Sequence, residues 1–103
     1  MMKAVLIVCG LVLAGAALAQ QPALRGQALL EDNCATCHAV GKTGSSPLAT
    51  AAPFRTLSRS FDLDKFQIEL QRGLLTGHPD MPEFKFSDDD ARAAAAYLRS
   101  IQE

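Results

Sequence analysis

The stretch that decides the fold is Cys34-Ala35-Thr36-Cys37-His38. Two cysteines stand three positions apart, and a histidine follows the second one directly. Elsewhere the chain has one further cysteine, Cys9, and one further histidine, His78. The spacing places two thiols and one imidazole close together along the backbone, where they can act on a single group.

A C-x-x-C-H stretch is typical of covalent haem attachment. In such a site each thiol forms a thioether with a haem vinyl group, and the next residue presents its imidazole to the iron. Covalent anchoring and axial ligation are then fixed by the same few residues. We therefore predict one haem c attached through Cys34 and Cys37, with His38 as an iron ligand.

Three other interpretations of the stretch explain less. A disulfide between Cys34 and Cys37 would close a very small loop, add little restraint and leave the histidine without a role. A thioredoxin-like redox pair needs a preceding strand, and no segment of period-two hydrophobicity precedes the stretch. A zinc site would need His78 as fourth ligand, and the adjacent Cys37 and His38 do not fit zinc-ligand spacing.

The N-terminal segment differs in composition from the rest of the chain. A single lysine precedes an almost wholly apolar run at residues 4–18, and Ala17-Leu18-Ala19 supplies small residues before Gln20. This arrangement predicts a secretory signal peptide over residues 1–19. The alternative is a retained transmembrane anchor, but the apolar run is shorter than the ~20 residues that cross a bilayer as a helix. We therefore expect cleavage, and no stable membrane insertion of the remaining chain.

The predicted mature domain, residues 20–103, carries nine Lys and Arg and eleven Asp and Glu. The cations are scattered and alternate with acids, which argues against a nucleic-acid partner. A single domain of this size buries a small core and often needs a metal or another cross-link for stability. We expect a monomer in which the cofactor forms part of the core.

Three segments have helical periodicity. The first runs from Pro22 to about Asn33. The second runs from about Asp62 to Arg72 and ends at Gly73. The third follows the N-cap Ser87, begins with three aspartates and carries apolar residues at helical spacing. The prediction is an all-α domain of about three main helices and long loops, the loops lying at 41–53 and 74–86.

These features resemble class I c-type cytochromes, the family of monohaem bacterial periplasmic cytochromes c. The resemblance covers about Leu24 to Ile101 and includes Gly26, Leu30, the C-x-x-C-H stretch, Met81-Pro82 and Ala96-Tyr97-Leu98. It implies that the first and last helices cross at right angles, with Gly26 against the helix that bears Ala94 and Tyr97. The chain departs from the family at Leu30, which is commonly aromatic, and at Ser45-Ser46-Pro47-Leu48, which roughly matches Gly-Pro-x-Leu.

The resemblance also implies the second iron ligand. Met81 lies in a loop and is followed by Pro82, as the family's axial methionine is, so the iron is expected to be held by His38 and Met81. His78, three residues earlier, is the rival ligand because imidazole binds iron well. Alternatively, Met81 is an ordinary buried core residue that does not bind the iron.

The residues around the haem can also be predicted. The resemblance implies the Pro47 carbonyl as the acceptor for the Nδ1–H of His38. Arg55 and Arg59 are candidate hydrogen-bond partners of the haem propionates. The alternative is that both arginines are free on the surface and do not contact the haem. The expected pocket residues are Phe54, Leu57, Phe66, Leu70, Leu74, Phe84 and Leu98.

The predicted function is that of a one-electron carrier between periplasmic or membrane redox proteins, and not of an enzyme. The alternative is a ligand-binding or catalytic haem protein, such as a gas sensor or accessory redox subunit, with a displaceable sixth ligand. Partner contact is expected to be small and brief. The surface expected to make it comprises Thr36, Ala39, Val40, His78 and Pro79, with Lys42 and Lys85 as nearby charges.

Overall fold

A computed structural model describes residues 21–74 and 80–103. Residues 21–34 are helical and form α1, and two further helices follow, α2 at Leu63–Arg72 and α3 at Asp88–Ile101. A 3-10 helix, Phe54–Arg59, precedes α2. The predicted all-α class is confirmed. The predicted signal peptide and His78 lie outside the described residues.

Both ends of α2 are determined by the residues that the sequence singles out. The Asp62 carboxylate accepts the backbone N–H groups of Asp64 and Lys65, which satisfies two donors of the first turn. At the other end Gly73 adopts φ +106° and donates its N–H to the Glu69 carbonyl. This φ is unfavourable for residues with a side chain, so the glycine stops the helix.

The last helix packs its alanine-rich face into the core. Ser87 caps it, its hydroxyl accepting the Asp90 N–H at 3.2 Å. The Asp90 carboxylate in turn is ion-paired with Arg25 of α1, whose guanidinium also donates to the Asp89 carbonyl at 2.9 Å. The N-terminus of α3 is thereby tied to α1. The buried residues of α3 are Ala91, Ala93, Ala94, Ala95, Tyr97, Leu98 and Ile101.

Gly26 is the point of closest approach between α1 and α3. A Cβ atom at this position would lie 1.9 Å from the Ala93 carbonyl oxygen and 2.9 Å from the Ala94 nitrogen. Backbone atoms of one helix occupy the space that a side chain on the other would need. The predicted contact of Gly26 with the α3 backbone is therefore confirmed at Ala93 and Ala94.

The 3-10 helix, which the sequence analysis did not predict, is held against the end of α3 by Gln102. The Gln102 side-chain amide donates to the carbonyls of Phe54 and Leu98, both at 2.8 Å, and its oxygen accepts the Ser58 N–H at 2.8 Å. Phe54 and Leu57 are buried. None of the helices in the described ranges combines the length and the apolar character that spanning a bilayer requires.

Tyr97 connects α3 to the segment after the C-x-x-C-H stretch. Its hydroxyl donates to the Val40 carbonyl at 2.8 Å in a buried position. Ala39 and Val40 are themselves buried, at 8% and 5% exposure. The expectation that these two residues belong to a partner surface is therefore wrong, because their side chains and carbonyls are used inside the domain.

We expect Tyr97→Phe to destabilise the domain by about 1–2 kcal/mol at pH 7, because the Val40 carbonyl loses its buried donor. Burial raises the pKa of Tyr97 above its ordinary value of about 10, and the charge of Glu31 adds to this. A raised folded-state pKa stabilises the protein below the unfolded-state pKa, and this contribution is lost as pH rises through the folded-state pKa.

The measurement is urea unfolding of both proteins between pH 7 and pH 11. The stability difference between them should shrink above about pH 10. Ser100→Ala is the control, since it removes another hydroxyl that donates to a carbonyl of α3. A difference between wild type and Tyr97→Phe that stayed constant over this range would contradict the account.

Candidate functional site

The C-x-x-C-H stretch begins on the last residue of α1 and continues into a tight turn. The N–H groups of Cys37 and His38 both donate to the Cys34 carbonyl, at 3.2 and 3.0 Å. The turn keeps Cys37 and His38 next to the end of the helix. Both thiols are free and partly buried.

A cavity of about 880 Å³ opens beside this turn. Cys34, Cys37, His38 and Met81 all line it. Of the seven predicted apolar pocket residues six also line it, and Leu98 does not, because it is fully buried within the core on α3. Its apolar lining consists mainly of Leu30, Leu48, Phe54, Leu57, Phe61, Phe66, Leu70, Leu74, Phe84 and Phe86.

The His38 ring is held in one tautomer and one orientation. Its Nδ1 lies 2.7 Å from the Ala52 carbonyl oxygen, and a carbonyl can only accept, so Nδ1 carries the proton. Phe54 stacks on the ring with centroids 4.7 Å apart and an angle of 30° between the planes. Nε2 is consequently left as the nitrogen with a free electron pair.

The acceptor is Ala52 and not Pro47, so that prediction is wrong. The Leu48 N–H donates to the Cys37 carbonyl, and the Ala51 N–H then donates back to the Leu48 carbonyl. This turn carries the chain past His38 before the acceptor is reached. The signal in the sequence was Ala52-Pro53, because a residue before proline is extended and its carbonyl is available for such a contact.

Met81 lies between two residues, Leu74 and Phe84, that are joined by backbone pairing. Leu74 and Phe84 form an isolated antiparallel bridge, with the Leu74 N–H donating to the Phe84 carbonyl at 2.7 Å. The Phe86 N–H donates to the Leu70 carbonyl at 2.8 Å. Met81 is partly buried against the core cluster. The structure thus brings a thioether and the His38 imidazole to one cavity.

Comparison with known proteins identifies the kind of domain. Residues 21–98 match the model of a family described as cytochrome c oxidase, cbb3-type, subunit III. The chain belongs to this family of c-type cytochromes. No curated protein and no solved structure matches the chain. The match confirms the predicted resemblance to class I monohaem cytochromes, and haem-based electron transfer is the general activity of such a domain.

The cavity of this cytochrome suits a haem in size and chemistry. Its volume lies within the range of about 300–1,000 Å³ that is usual for cofactor pockets. Large apolar side chains from α1, the 3-10 helix, α2 and the loops form most of its wall. The donor set, two free thiols, one imidazole with a free Nε2 and one thioether, is the set that a haem c requires.

Cys34 is not the activated thiol of a dithiol redox pair. Burial raises the pKa of the Cys34 thiol to about 11, so the thiol is protonated at neutral pH. The attacking thiol of such a pair needs a lowered pKa, since the thiolate is the reactive form. The described residues also form no zinc site, because among residues 21–74 and 80–103 no three His, Cys, Asp or Glu side chains are grouped to hold a metal ion.

Neither candidate arginine of the cytochrome lines the cavity. Arg55 donates to the Gly44 carbonyl at 2.7 Å and lies 3.7 Å from the Glu103 carboxylate, so it binds the loop and the C-terminus. Within the described part of the chain, Lys65 is the one Lys or Arg that lines the cavity. Lys65 was not predicted to lie there, because the two candidate arginines come from the segment before α2 whereas Lys65 is in the first turn of α2.

Proposed function

We propose that this cytochrome is a one-electron carrier with a single haem c. Cys34 and Cys37 would hold the haem through thioether bonds, and His38 and Met81 would be the two protein ligands of its iron. The observation that carries the proposal is the convergence of these four side chains on one largely apolar cavity. With both ligands on the iron no position would remain there for a substrate, and we therefore propose a carrier and not an enzyme.

The haem supplies a reversible one-electron couple at its iron. The chain's own residues keep the surroundings of that couple constant. Ala52 and Phe54 hold the His38 ring in place, and the Leu74–Phe84 bridge closes the segment that carries Met81. Apolar side chains form most of the cavity wall, which would limit the access of water to a bound haem. Such surroundings would keep structural change small when the charge of the site changes.

The test is the absorption spectrum of the purified native protein, oxidised and reduced, with and without carbon monoxide. A six-coordinate carrier is expected to show a c-type spectrum that carbon monoxide leaves unchanged. A spectrum that changes on adding carbon monoxide would instead favour the alternative, a gas sensor or other ligand-binding haem protein with a displaceable sixth ligand. Bis-histidine ligation through His78 would be recognised by the absence of the weak near-infrared band of iron–methionine ligation.

The proposal includes export of the protein to the periplasm. Residues 1–19 would act as a signal peptide, and the domain at 20–103 would meet periplasmic or membrane redox proteins there. N-terminal sequencing of the protein isolated from a periplasmic fraction should begin at Gln20. A start at Met1 would contradict cleavage at this position.

We expect Gly73→Ala to weaken the attachment of Met81 to the iron. Alanine at φ +106° is strained by about 1–3 kcal/mol, and its relaxation would redirect Leu74 and the segment closed by the Leu74–Phe84 bridge. The measurement is competition by added imidazole, followed through the near-infrared methionine band. The variant should lose the band at roughly tenfold lower imidazole than wild type.

Gly44→Ala is the matched control for this experiment. Gly44 has a similar φ of +92°, an added Cβ would meet nothing within 4 Å, and it lies in the other loop. Its substitution should cost similar stability and leave imidazole competition unchanged. Equal responses of the two variants would show that Gly73 has no particular role in holding Met81.

A further inference from the structure

The residues that hold the His38 ring belong to one short segment of the chain. The Ala52 carbonyl accepts the Nδ1–H of His38 at 2.7 Å, and Phe54, two residues later, stacks on the ring with centroids 4.7 Å apart. Phe54 is also the first residue of the 3-10 helix. The position of the ring therefore depends on how this segment is itself held in place.

Phe54 is fixed through both of its backbone polar groups. Its N–H donates to the Ala39 carbonyl at 2.9 Å, and its carbonyl accepts the Gln102 side-chain amide at 2.8 Å. Ala39 directly follows His38, so the first bond connects Phe54 to the C-x-x-C-H stretch. The second bond connects Phe54 to the end of α3. Gln102 therefore holds Phe54 from outside the stretch that carries His38.

The Gln102 side chain uses both of its N–H donors at this position. The nitrogen donates to the carbonyls of Phe54 and Leu98, and the oxygen accepts the Ser58 N–H, each at 2.8 Å. A carboxylate of the same length would keep the acceptor and lose both donors, and an aliphatic side chain would lose all three bonds. The contact with Phe54 therefore requires the amide group and not only a side chain of this size.

The end of α3 gives Gln102 a packed support. Leu98 and Ile101, in the last turn of the helix, are 1% and 5% exposed. A further bond joins the same two segments, since the Glu103 N–H donates to the Arg55 carbonyl at 2.9 Å. Gln102 is partly buried and does not line the cavity, so it can act on a haem there only through the residues that it holds.

We propose that Gln102 is a positioning residue for His38 and that, through Phe54 and the nearby Ala52, it sets the reduction potential of the haem iron. The inference rests on the proposed function, in which His38 is a ligand of that iron. A strong hydrogen bond from Nδ1–H to a carbonyl makes the imidazole more basic, and a more basic ligand favours the ferric form. When Phe54 is no longer held, the ring and its bond to Ala52 should loosen, and the balance should move toward ferrous iron.

The test compares wild type with Gln102→Leu and Ser87→Ala, all in the haem-loaded form. Leucine is neutral and removes every hydrogen bond of the Gln102 side chain. Ser87→Ala is the control, because it weakens the same helix by removing its N-cap at the opposite end, and Ser87 does not line the cavity. In a redox buffer of fixed potential, the ratio of reduced to oxidised protein should rise roughly threefold in Gln102→Leu and change less than about 1.5-fold in the control.

Proton NMR of the reduced protein supplies a second readout, the exchange of the His38 Nδ1–H with solvent. This exchange should be roughly tenfold faster in Gln102→Leu than in the Ser87→Ala control. Gln102→Glu should accelerate it as well, because it loses the donor to Phe54 and keeps the acceptor for Ser58. Only exchange is followed in that variant, since its charge would itself alter the potential. Gln102→Glu decides the question if Gln102→Leu does not fold.

The outcomes separate this inference from the proposed function. A redox ratio in Gln102→Leu no higher than that of the control would overturn the inference and leave the carrier function intact. Exchange of the His38 Nδ1–H no faster than in the control, in either Gln102 variant, would do the same. A wild-type protein without a c-type spectrum would instead overturn the proposed function and this inference with it.

Discussion

Met81→Leu is expected to abolish the near-infrared iron–methionine band and to let the reduced protein bind carbon monoxide. Leucine has nearly the volume of methionine and lacks the sulfur, so the exchange removes a ligand and keeps the packing of the cavity wall. A Leu-for-Met exchange in a core typically costs less than about 1.5 kcal/mol. The reduction potential should also fall, because the thioether favours the ferrous form.

This substitution separates a ligand from a core residue. If Met81 served only to fill the core, Met81→Leu would keep the wild-type spectrum and its resistance to carbon monoxide. Leu74→Ala is the control, because it removes apolar volume from the same cavity without touching the sulfur. It should lower stability by about 2–5 kcal/mol and retain the band. Retention of the band in Met81→Leu would remove Met81 from the ligand set.

Gly26→Ala is expected to destabilise the domain by about 3 kcal/mol. An alanine Cβ would lie 1.9 Å from the Ala93 carbonyl oxygen, and backbone in the middle of α3 cannot move without disturbing the buried face of that helix. Overpacking of this kind costs about 1–3 kcal/mol, and more where rigid backbone is involved. Denaturant unfolding of the haem-loaded proteins measures the effect.

Helix propensity predicts the opposite sign at Gly26. Alanine in the interior of a helix is favoured over glycine by about 1 kcal/mol, so α1 considered alone would be stabilised. Gly41→Ala supplies the reference, since a Cβ there would meet nothing within 4 Å and its φ is not positive. That control should be neutral or slightly stabilising. A Gly26→Ala protein as stable as the Gly41→Ala control would disprove the close contact of α1 with α3.

The helices could be predicted because their ends depend on neighbouring residues. Asp62 and Gly73 delimit α2 through contacts within a few positions, and Ser87 does the same for the start of α3. The 3-10 helix Phe54–Arg59 was not predicted, because it is held by Gln102, more than forty residues away. A local pattern carries no information on such a partner.

The residues of the candidate site likewise fall into those that could be predicted from the sequence and those that could not. The C-x-x-C-H stretch is local, and Met81 was expected from the family resemblance, so both could be named in advance. The acceptor of His38 depends on the path of the loop, which turns between Leu48 and Ala51 and delivers Ala52. Likewise, the burial of Val40 follows from its bond with Tyr97 on a distant helix. Contacts between remote segments therefore account for both errors.

The central claim is that Cys34 and Cys37 carry one covalently attached haem. Its most direct test is the intact mass of the native exported protein, measured under denaturing conditions that release any group held by weaker bonds. The account predicts the mass of the processed polypeptide plus one haem, and loss of the added mass in a Cys34→Ala, Cys37→Ala double variant. The mass of the bare polypeptide in correctly exported wild-type material would contradict it.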